Sequence, residues 1–506
     1  MAKPFYLTTP LYYVNAKPHI GHAYTTVVAD CLARAHRQRG EEVFLLTGTD
    51  EHGEKISQAA QAEGVSPKEF TDRTSGIFRS LWKTLNISYD HFIRTTDAEH
   101  QRTVQKILEV LKPQLELGRY KFWYCIPCET SFGLREVDPA KPLCPQCQRP
   151  VAQIEEEDYF LPLEKHRAWL KDYIQKTPGF IRPESRRNEV LGMLTDELPP
   201  LCVTRPKERV PWGIPVPFSP NHTTYVWFDA LLNYISALGW PDGGKFKRYW
   251  GEAGPLHLVG KDIIRHHCLY WPIILRALGV QPPKMVFAHG WWLVKGEKMS
   301  KSKGNIVDPQ AVVEAYGLDA FRYFMLRDVP FGDDGVFSEE ALAKRINSDL
   351  ANDLGNLVYR TLTMIEKHTA GKIPEGKVHP ETTEHVMAVA QDIFDALEYP
   401  APAHALKYLW ELIAEANRLV EQRAPWTLAK EGRRNELEEF LYRLADIVRV
   451  IAILSWPFLP STAESTWKQL GFTSDISAQR LPAALKEHIP AGQAIAKGQP
   501  LFPRLQ

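Results

Sequence analysis

Residues 43–53 read VFLLTGTDEHG, and this stretch decides the fold class. Its apolar half, residues 43–46, has the continuous hydrophobic character of a strand that is buried on both faces. The polar loop 47–53 follows at what would be the carboxyl end of that strand. Together with a short β segment at residues 5–7 and a helical pattern over residues 19–33, it predicts a doubly wound parallel α/β sheet. In such a sheet, ligands bind beyond the carboxyl ends of the strands.

The regular alternation of strands and helices then stops. Residues 118–203 hold two cysteine pairs and a stretch rich in proline and charge, which predicts an insertion with a small fold of its own. Strand-like runs return at residues 225–228, 256–259 and 285–288. One sheet that is interrupted by an insertion is therefore expected.

The last third of the chain has a different pattern. After Ser338, a predicted helix N-cap, no strand pattern is evident. Apolar residues recur at spacings of three and four from Leu350 onward, which indicates amphipathic helices. Residues 346–506 are therefore predicted to form an all-α helical bundle.

Composition restricts the classes of function. The chain has 506 residues with 61 basic and 61 acidic side chains, so its formal net charge is zero and no bulk basic field points to nucleic acid. Hydrophobic residues make up 44% and charged residues 24%, as in a folded protein of about three or four structural units. No run approaches the ~20 apolar residues of a membrane helix, and the N-terminus lacks a secretory signal. We therefore expect no membrane partner and a cytoplasmic location.

Four of the seven cysteines form two C-x2-C pairs, which are separated by fifteen residues. Two residues between thiolates let one tight turn present both sulfurs to a single ion, and two such turns complete the tetrahedral site that Zn²⁺ prefers. Four thiolates leave no position for water, so the pattern predicts structural zinc rather than catalytic zinc. Four unrelated cysteines and a redox pair are the weaker alternatives. The predicted ligands are Cys125, Cys128, Cys144 and Cys147.

The tetrapeptide His19-Ile20-Gly21-His22 follows Pro18, which cannot continue a helix backwards. A helix is therefore expected to begin here, with free backbone N–H groups and a partial positive charge in its first turn. His19 and His22 lie on the same side of that turn, and Gly21 leaves room for an anionic group to approach the backbone. These features predict a phosphate site, although the tetrapeptide taken alone is better explained by a structural histidine pair.

A second basic motif reads KMSKSKGN over residues 298–305. Its lysines lie on a loop bounded by glycine, and the alternative to a functional role is a solvated basic turn. Flexible ammonium groups on such a loop can close over a polyphosphate and match charge that develops only in the transition state.

The two motifs together resemble a known class of enzymes. Residues 19–22 and 298–302 match without substitution the HIGH and KMSKS motifs of class I aminoacyl-tRNA synthetases, in the same order and 298 − 19 = 279 positions apart. Within that class the chain resembles the methionyl-tRNA synthetase family, from Pro4 to about Pro460, with only generic helix expected beyond. The further matches lie at residues 11–15, 48–53, 225–230, 260–262 and 304–309.

The resemblance implies a methionine–tRNA ligase. Such an enzyme joins methionine to ATP as methionyl-adenylate, with release of pyrophosphate, and then transfers the methionyl group to the 3′ end of tRNA(Met). The family's roles imply that His19 and His22 stabilise the reacting α-phosphate, that Lys298 and Lys301 hold the leaving pyrophosphate, and that Mg²⁺ accompanies ATP. The implied nucleotide-binding residues are Gly21, Gly260, Asp262, Lys298 and Lys301.

The resemblance also implies binding sites for methionine and for the tRNA anticodon. Because the methionine side chain carries no charge, it must be recognised by shape and by sulfur–aromatic contact, with a tyrosine hydroxyl or His267 as a weak donor to sulfur. Asp50 matches the carboxylate that pairs with the α-ammonium group. The other implied methionine-binding residues are Leu11, Tyr13, Trp227, Ala230, Tyr234, Ile263, His267 and Trp271. The implied anticodon-binding residues are Asn356, Arg360 and Trp426.

Five segments follow from these motifs. They are a Rossmann-like catalytic domain in two halves (1–117 and 204–290), the zinc-binding insertion (118–203), a KMSKS loop and stem-contact region (291–345) and an anticodon-binding helical domain (346–506).

Several alternatives remain at this point. Synthetases for leucine, valine, isoleucine or cysteine are the alternatives within the class, and the first three usually carry an editing domain of about two hundred residues. A tRNA-binding relative without catalytic activity would not need His19, His22, Lys298 and Lys301. Since only about 45 residues follow Pro460, too few for a further dimerising domain, a monomer is expected.

Overall fold

The first hundred residues build one half of a parallel sheet. The computed structural model describes residues 2–145, 147–294, 296–298 and 306–505. Strand β1 is longer than the sequence predicts, because its second half pairs with residues 48–50 after a shift in register. The elements of this part are β1 Pro4–Tyr13, α1 Ile20–Gln38, β2 Glu42–Asp50, α2 Glu54–Ala62, α3 Pro67–Thr84, β3 His91–Arg94 and α4 Ala98–Leu111.

The inserted segment forms a four-stranded sheet in the order β5-β4-β6-β8. Its elements are β4 Glu116–Cys125, β5 Thr130–Phe132, β6 Ala152–Leu161, α5 Glu164–Lys176, β7 Ile181–Arg182, α6 Glu184–Met193, β8 Leu201–Cys202 and β9 Thr204–Pro206, with 3-10 turns at Lys112–Gln114 and Ile126–Cys128. The insertion is not a separate fold throughout, because β7 pairs in parallel with residues 286–287 of the main sheet.

The segment that follows the insertion adds two strands to the main sheet and contributes to two small three-stranded sheets. Its elements are β10 Pro215–Val216, β11 Ser219–Thr224, α7 Val226–Leu231, α8 Asn233–Ser236, β12 Leu256–Gly260, α9 Trp271–Ala277, β13 Met285–His289, β14 Trp292–Val294, β15 Glu297–Lys298, α10 Pro309–Tyr316, α11 Leu318–Arg327 and β16 Gly335–Phe337. A 3-10 turn lies at Lys261–Ile263, and π-helical turns lie at Phe246–Ala253 and His266–Tyr270.

The predicted strand at residues 225–228 is wrong, because Val226–Leu231 form helix α7. A short apolar run has no period long enough to distinguish a strand from a buried helix. The helical turn places Asp229 in the interior, where it accepts hydrogen bonds from His52 at 2.7 Å and His100 at 2.6 Å. These partners are distant in sequence, so no local pattern reveals them.

The main sheet has the strand order β3-β2-β1-β12-β13-β7, and every adjacent pair is parallel. The chain runs outward from β1 to β3 on one side and from β12 to β13 on the other, so the order reverses between β1 and β12. Apolar side chains such as Leu7, Leu45 and Leu258 are fully buried between the sheet and its covering helices. The predicted doubly wound α/β fold is confirmed, and the crevice for a ligand lies beyond the carboxyl ends of β1 and β12.

The last third is helical, as the sequence predicts. Ser338 caps the first helix by accepting a hydrogen bond from the Ala341 N–H at 3.0 Å. The helices are α12 Glu339–Arg345, α13 Asn356–His368, α14 Pro380–Glu398, α15 Pro402–Arg423, α16 Pro425–Lys430, α17 Arg434–Ser455, α18 Pro460–Gln469 and α19 Ala483–Lys486, with a π-helical segment at Ile346–Gly355 and a 3-10 turn at Ile476–Ala478.

Two details differ from the predicted helical bundle. The predicted boundary between residues 345 and 346 falls inside one helical segment, since α12 continues directly into the π-helical turn. The end of the chain is not helical, because residues 487–505 run without regular structure, and Ala494 forms a β-bridge with Lys372. None of the helices in the described part of the chain has the length and apolar character that a membrane crossing requires.

Helix α1 connects the sheet to the helical bundle. Asp30 on α1 forms a salt bridge of 2.7 Å with Arg322 on α11, and both side chains are fully buried. Arg322 also donates hydrogen bonds to the carbonyls of Phe458 at 3.0 Å and Leu85 at 3.2 Å. Farther along α1, Gln38 donates to the carbonyl of Ile453 at 2.8 Å. The helix that starts at the HIGH motif therefore packs against the bundle near its other end.

Candidate active site

A cavity of about 380 Å³ lies at the carboxyl ends of β1 and β12, where the strand order reverses. The end of β1, the start of α1 and helix α7 all contribute to its wall. Thirteen of the predicted site residues line it: Leu11, Tyr13, His19, Gly21, His22, Asp50, Trp227, Ala230, Tyr234, Gly260, Asp262, Ile263 and His267. The HIGH motif thus lies in the same cavity as most of the predicted methionine-binding residues.

His19 and His22 form the start of α1 and face each other, with ring centroids 3.9 Å apart. The Nδ1 atom of His19 accepts a hydrogen bond from the Gly21 N–H, and Nδ1 of His22 accepts one from the His19 N–H, both at 3.1 Å. Burial and the neighbouring His19 hold the pKa of His22 well below its ordinary value. A neutral ring whose Nδ1 accepts carries its proton on Nε2, from which it can donate to an anionic oxygen.

The first-turn N–H groups of α1 are not free, in contrast to the prediction. The Ile20 N–H donates to the carbonyl of Val307 at 3.2 Å, and the His22 N–H donates to the carbonyl of His19 at 2.9 Å. The Gly21 N–H is taken by the His19 ring. The imidazoles, rather than bare backbone groups, are therefore the donors that this helix start offers to an anion.

The segment that follows the second motif touches the first motif, because Val307 accepts the hydrogen bond from Ile20. On the other side of the loop, Lys298 belongs to β15 and pairs with Leu293. Lys301 lies outside the described residues. The segment after the loop thus lies next to the HIGH motif, and the convergence of the two motifs on one cavity stays a prediction.

The side chains at the end of β2 and in the loop after it point in different directions. Asp50 lines the cavity, and its Oδ1 atom is buried without a hydrogen-bond partner among the described residues. Glu51 is turned away and forms a two-pronged salt bridge with Arg94, with both contacts at 2.7 Å. Burial, together with the charges of Asp229 and Glu129, raises the pKa of Asp50 well above its ordinary value. A buried carboxyl group with one oxygen left unpartnered by the described residues is suited to receive a cationic group of a ligand.

The apolar side of the cavity contains a chain of hydrogen bonds that fixes two protons. Nδ1 of His267 contacts the carbonyl of Ile263 at 3.0 Å, and burial lowers the pKa of His267 to about 4. A neutral ring must place its one proton on this Nδ1, so Nε2 accepts from the Tyr234 hydroxyl at 2.8 Å. Separately from this chain, the Tyr13 hydroxyl donates to the Glu129 carboxylate at 2.7 Å. The hydroxyl protons of Tyr13 and Tyr234 and the Nδ1 proton of His267 are thus held by protein atoms in this structure, and the weak donor to the thioether stays a prediction.

The two predicted tryptophans have different positions. Trp227 lines the cavity and stacks on His266, with ring centroids 3.7 Å apart and planes 19° apart. Trp271 is fully buried, is absent from the cavity wall and packs behind Tyr234 at 5.9 Å. Its indole N–H donates to His257 at 3.3 Å. Trp271 therefore supports the wall rather than forming it.

The four predicted metal ligands are together in the inserted segment. The Sγ atoms of Cys125, Cys128, Cys144 and Cys147 all lie within 4.8 Å of one another. Two of the separations are 3.6 Å and 3.9 Å, which is far longer than the ~2.05 Å of a disulfide. Sulfurs at the usual Zn–S distance of ~2.3 Å in a tetrahedron lie about 3.8 Å apart. The residues therefore fit a tetrahedral zinc ion.

The three predicted anticodon residues lie at the surface of the helical bundle. Trp426 is 49% exposed, so it is not a core residue. The guanidinium of Arg360 lies 5.9 Å from the centre of the Trp426 ring and also forms a 2.8 Å salt bridge with Glu421. Asn356 is one turn before Arg360 on α13. A planar ring, a guanidinium and an amide thus share a surface that is open to solvent.

Two models of known protein families match nearly the whole chain. A family model described as class I tRNA synthetases (M) matches residues 5–362, and one for the anticodon binding domain of methionyl tRNA ligase matches residues 369–506. The chain belongs to the methionyl-tRNA synthetase family. The second match extends to residue 506, so the predicted limit of the resemblance near Pro460 is wrong.

Individual relatives agree with this family. A methionine–tRNA ligase of Caldanaerobacter subterraneus subsp. tengcongensis is 48% identical and matches 100% of this chain and 79% of its own length. The Bacillus subtilis methionine–tRNA ligase is 43% identical over 99% of this chain and 78% of its own length. The crystal structure of Mycobacterium tuberculosis methionyl-tRNA synthetase bound by methionyl-adenylate is 38% identical, with a TM-score of 0.93 over 99% of this chain and 100% of that one. The predicted family, fold class and enzyme class are confirmed.

The cavity of this family member also contains residues that the sequence did not single out. Thr25 donates its hydroxyl proton to Nε2 of His289 at 2.7 Å, while Nδ1 of His289 donates to the carbonyl of Gly290 at 2.7 Å. Sequence position could have identified both residues, because Thr25 is one helical turn after Gly21 and His289 directly follows a predicted strand. Glu129 also lines the cavity, but its position beside Cys128 gave no such signal.

Proposed function

We propose that this chain activates methionine with ATP to methionyl-adenylate and pyrophosphate, and then transfers the methionyl group to the 3′ end of tRNA(Met). The observation that carries the proposal is one cavity that joins the paired imidazoles, the Asp50 carboxyl group with its unpartnered Oδ1 atom and an apolar pocket. Its support from relatives is the name that they share, methionine–tRNA ligase.

Methionine would bind with its ammonium group against Asp50 and its side chain in the apolar part of the cavity. A buried carboxylate beside a cation forms a favourable ion pair, and that pair would reverse the raised pKa of Asp50. Leu11, Tyr13, Trp227, Ala230, Tyr234, Ile263 and His267 would enclose the thioether, with Trp271 holding Tyr234 from behind. Since protein atoms hold the hydroxyl protons of Tyr13 and Tyr234 and the Nδ1 proton of His267, recognition of sulfur would depend mainly on shape and on ring contacts.

The methionine carboxylate would then attack the α-phosphate of ATP. Nucleotidyl transfer between two anions needs positioning and neutralisation of charge more than a covalent nucleophile. The Nε2–H groups of His19 and His22 are suited to donate to the α-phosphate oxygens, and Lys298 and Lys301 would hold the pyrophosphate, with Mg²⁺ on the phosphates. Gly21, Gly260 and Asp262 line the same cavity and would contact the nucleotide.

Zinc in the four-cysteine site would have a structural role. Four thiolates complete its coordination, so it would stabilise the fold of the lobe and take no direct part in the reaction. We propose Cys125, Cys128, Cys144 and Cys147 as its ligands.

The helical bundle would read the tRNA. Trp426 would stack on an unpaired anticodon base, while Arg360 and Asn356 would contact its edge and the backbone. Residues 346–506 would thus bind the anticodon and residues 291–345 the tRNA stem. The cytoplasmic location and the monomeric state stay predictions.

Exchange of labelled pyrophosphate into ATP tests the proposal with each amino acid in turn. We expect methionine-dependent exchange, and equal exchange with leucine or cysteine would contradict the assignment. Lys301→Ala is expected to slow adenylate formation far more than it weakens methionine binding. A change confined to the KM for methionine would remove the transition-state role of the loop.

A further inference from the structure

Glu129 belongs to the four-cysteine lobe but reaches the wall of the reaction cavity. It follows Cys128 directly, is only 5% exposed and lines the cavity. Its backbone is left-handed, with φ +50° and ψ +36°. Residues other than glycine avoid this conformation unless the surrounding contacts determine it. The position of Glu129 is therefore imposed by its partners.

Those partners belong to three segments around the cavity, and Tyr13 and Lys55 line it. The carboxylate oxygen Oε1 accepts the hydroxyl proton of Tyr13 at 2.7 Å and the backbone N–H of Lys55 at 2.9 Å. The backbone carbonyl of Glu129 accepts the hydroxyl proton of Tyr225 at 2.5 Å. Tyr13 ends β1, Lys55 lies in the first turn of α2, and Tyr225 precedes α7. One residue of the lobe thus connects three elements that shape the cavity.

Close packing around Gly53 supports this reading. Gly53 has φ +115°, and a Cβ atom added there would lie 2.7 Å from Oε2 of Glu129 and 2.8 Å from the Tyr13 oxygen. Such distances are below normal van der Waals contact, so a side chain at position 53 would displace the carboxylate of Glu129 or the hydroxyl of Tyr13. Gly53 therefore leaves room for the present positions of both groups.

We propose that Glu129 is a positioning residue for methionine, which makes the four-cysteine lobe part of the amino-acid site. This inference rests on the proposed function. Tyr13 lies in the cavity wall beside Asp50, and the charged acceptor holds its ring in one orientation. The same carboxylate fixes the start of α2, the helix that follows the Asp50 loop. Loss of Glu129 leaves Tyr13 free to rotate, so methionine must then order the pocket itself.

The effect should therefore fall on methionine binding rather than on the chemical step. Hydrogen bonds to charged acceptors are the stronger kind, so Glu129→Ala is expected to raise the KM for methionine about tenfold. The kcat for exchange should change less than about threefold, and the KM for ATP should stay the same, because His19 and His22 are untouched. Glu129→Gln keeps an acceptor oxygen and should restore most of the affinity.

The experiment compares Glu129→Ala, Glu129→Gln and the control Glu136→Ala in full-length protein. Glu136 is an exposed carboxylate of the same lobe that bonds Gly133 and Arg265 and is absent from the cavity wall. For each variant we would measure exchange kinetics, methionine binding by equilibrium dialysis, zinc content by elemental analysis and the melting temperature. The expected result is weakened methionine binding in Glu129→Ala alone, with zinc content equal to that of the wild type.

Three results would overturn the inference. They are an unchanged KM in Glu129→Ala, an effect that merely follows zinc loss, and an equal effect in Glu136→Ala. If Glu129→Ala does not fold, Tyr13→Phe decides, because loss of the hydroxyl removes the same hydrogen bond and should raise the KM for methionine while kcat changes little. An unchanged KM in Tyr13→Phe would also contradict the inference. A wild type without methionine-dependent exchange would instead refute the proposed function.

Discussion

The reaction cavity and the surface around Trp426 use similar side chains in opposite settings. In the cavity, the protons of Tyr234 and His267 are buried and already held by other protein atoms. At the surface, half of Trp426 is open to solvent, and Arg360 is paired with an exposed glutamate. The small uncharged side chain of methionine provides little binding free energy to order a pocket, so the pocket must be preformed. An RNA loop brings its own rings and charges, so its partners can remain solvated until it binds.

This contrast separates the two regions experimentally. Changes in the cavity should alter exchange of pyrophosphate with or without tRNA. Changes at the Trp426 surface should appear only when tRNA is the substrate.

The largest effect is expected from His22→Ala. Removing a donor to charge that develops in the transition state typically costs about 10²–10³ in rate, so kcat for exchange should fall by several hundredfold. His385→Ala, an exposed histidine of the helical bundle, serves as the control. Steady-state exchange kinetics measure both, and a fall in His22→Ala of less than about tenfold would show that the ring is mainly structural.

A fall of about a hundredfold in kcat/KM for methionine is expected for Asp50→Asn. The amide keeps the shape but removes the anion that pairs with the ammonium group, and loss of a buried ion-pair partner costs about 3 kcal/mol or more. Binding of ATP in the absence of methionine should be unaffected. Exchange kinetics over a range of methionine concentrations test this, and an unchanged KM would place the ammonium group elsewhere.

Trp426→Ala is expected to lower kcat/KM for charging of tRNA about tenfold, because a base stacked on an aromatic ring contributes roughly 1–3 kcal/mol. Exchange without tRNA should be unchanged, and Trp426→Phe should retain most of the activity. The melting temperature should also stay the same, because the ring is half exposed. Equal charging by the wild type and Trp426→Ala would separate this surface from the anticodon.

The smallest effect concerns pH and the cavity. His267 is neutral in the folded protein, with a pKa of about 4, whereas the ordinary value is about 6.5. Between these two pKa values the unfolded chain binds a proton on this histidine and the folded chain does not. The free energy of unfolding therefore decreases as pH falls from about 6.5 towards 4. Between pH 7 and 5.5 His267 should account for about 1 kcal/mol. Urea unfolding at both values, in the wild type and in His267→Asn, should show a shallower pH dependence in the variant.

Much of the active site is predictable because its groups occur in short local motifs. His19 and His22 share one helical turn, and Asp50 is the last residue of the apolar strand β2, so the general rule for parallel sheets places them together. The four cysteines are predictable for the same reason, since their spacing alone limits the geometry.

The remaining features depend on partners that are distant in sequence. Helix α7 is held by the contacts of Asp229 with His52 and His100, which no local period reveals. The Tyr234 hydroxyl donates to His267, whose other ring nitrogen donates to the carbonyl of Ile263. The N–H of Ile20 donates to the carbonyl of Val307. Such assignments require coordinates, because hydrogen bonds between distant segments leave no spacing to read.

The buried pair of Asp30 and Arg322 limits how this protein can be dissected. A fragment that ends before the bundle would keep both charges on α1 and α11 but would remove the Phe458 carbonyl that accepts from Arg322. It would also uncover Gln38, which donates to Ile453. A minimal version of the adenylate-forming half must therefore replace these two acceptors, for example with polar side chains grafted onto α1. Otherwise the helix that carries the HIGH motif would lose its support at the far end.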